Sequence, residues 1–75
     1  MLNKQAKNAL SEALRLKRGT SSVEEIAPEV GLDVQSYYRF ERGARAPGLG
    51  NARKLAAWLG WTVGEVIDAA DRPPG

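Results

Sequence analysis

Four glycines, at positions 19, 31, 43 and 60, each close a run of apolar residues spaced three or four apart. That spacing marks one face of an α-helix. The glycines cut the chain into five short helical segments, and no stretch alternates as a strand would. The fold class expected is all-α, a compact five-helix bundle.

Leu2, Ala6, Ala9, Leu10, Ala13 and Leu14 form the first face, which predicts a helix over 3–18 with Lys17 and Arg18 in its last turn. Ser22 and Glu25 fit a capping box at the start of a second helix that buries Ile26, Ala27 and Val30. Pro28 lies beyond its first turn and predicts a kink or a tight local turn. Asp33 caps a third helix, with Leu32 and Tyr37 placed as a hydrophobic staple and Gly43 suited to the left-handed residue that ends it. Leu49, Ala52, Leu55, Ala56 and Leu59 mark a fourth helix with a weak start, because Gly48 is a mediocre cap and Gly50 falls in the first turn. Thr62 and Glu65 repeat the capping box, Trp61 and Val66 repeat the staple, and Val63, Val66, Ile67 and Ala70 are the predicted buried residues of a fifth helix. Residues 1–70 then form one domain, and 71–75, with Pro73 and Pro74, a flexible tail that frays.

Seventy-five residues leave room for one thin core. The absence of Cys and His removes disulfides, the usual zinc sites, and catalysis by thiol or imidazole. The acidic residues fall mostly on helix surfaces and form no catalytic constellation, so no enzyme, metal or cofactor is expected. No apolar run is long enough for a signal-peptide core or a membrane span, which points to a cytoplasmic protein.

The net charge of +2 is modest, but it is segregated. Residues 1–18 carry a balance of +4, 19–33 a balance of −4, 34–60 again +4, and 61–75 a balance of −2. The third helix and the turn after it sit in a basic block, as a phosphate-facing surface requires. Tyr37 and Phe40 share the inner face of that helix, while Gln35, Ser36, Tyr38, Arg39 and Arg42 point elsewhere. Such an outer face suits a reader of the DNA major groove, and it also suits an ordinary solvated amphipathic helix.

Three groups of residues occur in register: Ile26-Ala27 with Gly31-Leu32; Tyr37 with Phe40-Glu41-Arg42-Gly43 and Pro47; and Leu55-Ala56 with Leu59-Gly60. Together they resemble the Cro/C1-type helix-turn-helix domain of phage repressors and related bacterial regulators, over about residues 5–68. The resemblance implies a lambda-repressor-like bundle in which helices 2 and 3 form the helix-turn-helix. It also implies a transcriptional repressor that occupies an operator in double-stranded DNA as a homodimer, with helix 3 (about 33–42) in the major groove.

Carried over by position, Val34, Gln35, Tyr38 and Arg39 are the base readers. Ser22, Arg42, Arg45 and the amides of Gly43 and Ala44 are the phosphate contacts. Arg15 and Glu41 match a structural ion pair between helices 1 and 3. Three positions depart from the pattern: Val23 where Gln is common, Gly48 where a polar cap is common, and Pro28 inside helix 2. Each site has a plainer reading. Gln35 suits adenine or a polar surface; Arg39 suits guanine, a phosphate, or a pair with Glu29 or Asp33. Tyr38 suits a thymine methyl group, a phosphate through its hydroxyl, or packing across the helix pair, and Val34 suits a thymine methyl group or first-turn packing. Trp58, off the main stripe of its helix, suits packing on helix 5 or a dimer interface. Arg53 and Lys54 suit solvent. The alternative function is a protein-interaction module on the same fold, such as an antitoxin or an antirepressor partner.

Overall fold

Short helices need one another. An isolated helix below about 12–15 residues is marginal in water, and here α1 spans Ala9–Arg18, α2 Val23–Val30, α3 Val34–Glu41, α4 Leu49–Leu59 and α5 Val63–Ala70. A computed structural model describes residues 8–74. Every described residue in regular structure is helical. Among the described residues, no helix is long and apolar enough to cross a membrane.

The ends of the helices follow from local chemistry. Ser22 and Thr62 each accept from the amide three residues on, and Glu25 and Glu65 each accept from the amide of the cap residue. Asp33 accepts from the Ser36 amide. Helix α1 starts later than the apolar spacing predicts. Asn8 is extended, its side chain accepts from the Ser11 amide at 2.7 Å, and the Ser11 hydroxyl accepts from the Asn8 amide at 3.1 Å. Serine stands here where a capping box usually has Glu or Gln. The predicted face residues Leu2 and Ala6 lie outside the described residues.

Helix α2 runs through Pro28 without interruption. Pro28 and Glu24 are both exposed, so the carbonyl deprived of its amide partner lies on the solvent side. The helix closes at Gly31 (φ 92°), where the Leu32 amide reaches back to the Ala27 carbonyl and the Gly31 amide to that of Pro28. This paired closure turns Leu32 onto the core.

The core is built from Leu10 and Leu14 of α1, Ile26, Ala27 and Val30 of α2, Tyr37 and Phe40 of α3, Ala52, Leu55 and Ala56 of α4, and Val66 and Ala69 of α5. Helix α1 packs on α3 and α5, α2 on α3 and α4, and α4 on α5. Two expectations are corrected. Ile67 is 45% exposed and Ala69 is buried in its place, because α5 docks on the line through Val66 and Ala69. Leu49 is exposed at the mouth of α4. The Arg72 carbonyl accepts from the Ala9 amide at 2.8 Å, and its guanidinium pairs with Asp68 at 3.0 Å.

Candidate nucleic-acid interface

Tyr37 and Phe40 fix how α3 is presented. Both are buried. The Tyr37 hydroxyl donates to the Leu14 carbonyl of α1 at 3.3 Å, and its ring meets Trp58 of α4 edge-on, with centroids 6.1 Å apart. Burial, with the Glu41 carboxylate beside it, pushes the hydroxyl's pKa well above the usual tyrosine value, so it stays a donor. At the other end of α3, Ser36, through its side chain and amide, holds the Asp33 carboxyl below the usual carboxylate range. The cap therefore stays charged at neutral pH.

Glu41 has a different partner from the one expected. Arg18, not Arg15, grips it: Nε donates to Oε2 and Nη2 to Oε1, both at 2.7 Å, and Nη1 donates to the Ser21 carbonyl. The Glu41 side chain is 5% exposed and that of Arg18 22%. The carboxylate raises the Arg18 pKa further. Arg15 lies one turn earlier on the same side of α1 and is exposed. The last turn of α1, rather than the one before it, is level with the end of α3.

With its inner face and both ends held, α3 shows an outer face of Val34, Gln35, Tyr38, Arg39 and Arg42, all exposed. These five line one cleft, together with Val23 and Glu24 from the first turn of α2. All four predicted base readers are therefore brought together. Arg39 forms no ion pair with Glu29 or Asp33 among the described residues. Arg42 lies over the Tyr38 ring, 5.1 Å from its centroid, and so is drawn along α3. Tyr38 thus packs against a neighbour on its own helix and keeps 48% of its surface exposed.

On the other side of α3, Arg39 also lines a hollow with Ser36, Arg45 and Asn51. This hollow lies at the start of α4, where Gly48 supplies no side-chain cap and the first turn carries no acid. Val23 and Glu24 of the first cleft and Asn51 of this hollow join their sites from the first turns of α2 and α4, the helices on either side of α3 in the chain, and none of the three was named as a contact in the sequence. A second correction concerns the turn after α3. The Gly43 amide donates to the Phe40 carbonyl at 3.1 Å and the Ala44 amide to that of Arg39 at 2.9 Å. Both amides assigned to phosphate are thereby engaged in closing the helix. Arg45 is exposed beside them, and Ser22 keeps its hydroxyl proton while its oxygen accepts in the α2 cap.

Trp58 is half-buried. Its ring meets Tyr37 of α3 and the Lys17 ammonium of α1, the latter 5.4 Å from the ring centroid, and it packs against the core. Arg53 and Lys54 are exposed and share a second groove with Glu29, Val30, Ala57 and Trp58.

The pair α2–α3, joined at Gly31 and closed beneath by Tyr37 and Phe40, is a helix-turn-helix. The model of a helix-turn-helix family matches residues 12–65, most of the chain. The chain belongs to the Cro/C1-type helix-turn-helix family. This is a family of DNA-binding regulators. No curated protein and no solved structure matches the chain significantly.

Proposed function

We propose that this Cro/C1-type protein is a sequence-specific repressor that occupies an operator in double-stranded DNA, with α3 in the major groove. It acts by binding and not by catalysis. The observation that carries this reading is the single cleft holding Val34, Gln35, Tyr38, Arg39 and Arg42 on the outer face of α3. Gln35 offers a bidentate amide for adenine, and Arg39 a fork for guanine O6 and N7. Val34 and Tyr38 offer apolar contact to a thymine methyl group. Arg42 and Arg45, with the Ser22 hydroxyl, hold the phosphates on either side. The open start of α4 beside Arg45 adds backbone donors there. The protein binds as a homodimer, with reading helices about 34 Å apart on successive turns of the duplex. The exposed part of Trp58 is a candidate for the contact between copies.

Selection of bound duplexes from a random pool tests the reading. The expected result is a defined site, at which Gln35→Ala and Arg39→Ala each relax preference at one position. Arg45→Ala should weaken binding to all sequences alike and reduce the salt slope by about one. Equal binding of selected and random DNA would overturn the proposal.

A further inference from the structure

Two acids open α2, and they are placed differently. Glu25 accepts from the Ser22 amide at 3.1 Å and completes the cap. Glu24 takes no part in the cap. It lines the α2–α3 cleft with Gln35, Arg39 and Arg42, and pairs with neither arginine among the described residues. Arg42 is turned away along α3 onto Tyr38. Glu24 is thus a lone carboxylate in a cleft whose other charged groups are cations.

An α-helix with its side chains is about 10–12 Å across, and the major groove of B-DNA is about 12 Å wide. A helix seated in that groove fills it. An element packed alongside then meets the phosphate rim and not the bases. Here that element is the first turn of α2. We propose that Glu24 is an affinity-limiting residue: its charge opposes the phosphates beside α3 and holds DNA binding below the level its arginines would give. The inference rests on the DNA-binding reading above. A carboxylate in the first turn also favours the helix dipole of α2. The same side chain therefore supports the fold and opposes the ligand.

The test uses the full chain, with a selected duplex and a scrambled one titrated by fluorescence anisotropy at several salt concentrations. Glu24→Gln removes the charge and keeps the size. It should tighten binding to both duplexes by about two- to fivefold near 0.1 M salt and steepen the salt dependence. Glu24→Lys should tighten binding further. Glu29→Gln makes the same change in net charge at the other end of α2, in the groove shared with Arg53 and Lys54, and should leave binding unchanged. No gain with Glu24→Gln, an equal gain with Glu29→Gln, or a gain confined to one of the two duplexes would overturn the proposal. Failure of the wild-type chain to bind any duplex would overturn the DNA-binding reading itself, and that result is seen before any variant is made.

Discussion

Glu41 is a carboxylate almost removed from water, and two hydrogen bonds from one guanidinium are what make that tolerable. Taking one partner from a buried pair strands the other charge, at a cost of about 3–5 kcal/mol when both are fully enclosed. Arg18 is partly exposed, so water reaches the gap it would leave and the loss is smaller. Arg18→Ala should lower unfolding stability by about 2–3 kcal/mol, whereas Arg15→Ala, at an exposed site, should change it by less than about 0.5 kcal/mol. Urea titration of the two variants distinguishes them, and equal losses would show that Arg15 shares the load. That Glu41 needs a cation from helix 1 was legible in the sequence. Which cation was not, because Arg15 and Arg18 lie three apart and face the same way. Only the docked height of α1 against α3 separates them. The amides of Gly43 and Ala44 have the same lesson: a turn glycine is visible in the sequence, but the direction of its neighbours' N–H groups is not.

Helix α4 has the weakest start of the five. Gly48 gives no side-chain cap, and Gly50 adds the flexibility of glycine within the first turn. A methyl group at position 50 would meet nothing within 4 Å. Gly50→Ala should therefore raise stability by up to about 1 kcal/mol, read as a higher thermal midpoint. A lower midpoint would mean that this turn must deform for the fold to close. Elements opened by Ser22, Asp33 and Thr62 were legible because cap and apolar run agree. The start of α1 was misjudged because apolar spacing continues backward past Asn8, while the cap with Ser11 ends the helix there. In α5 the apolar residues Val63, Val66, Ile67, Ala69 and Ala70 spread over nearly half of the helix surface, so periodicity could not choose between Ile67 and Ala69. Packing against α4 and α1 makes that choice.

At the scale of the molecule, no helix is supported by a single neighbour's contact alone, and α3 is held by α1 and α2 together. With helices this short, loss of one docking surface should release the rest. Thermal unfolding followed by far-UV circular dichroism and by tryptophan emission should therefore give coincident curves. An earlier loss of emission would reveal a loosened α4 region around Trp58 and Trp61. The architecture was open to sequence reasoning because five bounded amphipathic segments leave few ways to pair. The α2–α3 cleft was half open to it: the α3 side is one helix face, but Val23 and Glu24 reach it from another helix. The hydrogen bond from the Ala9 amide to the Arg72 carbonyl carries a topological consequence. It brings the beginning of α1 and the turn after α5 together, so the path of the chain is nearly a ring. Position along that ring matters less than neighbourhood. A circular permutant that bridges these two points and opens at Thr20, in the turn between α1 and α2, keeps every helix beside its present partners.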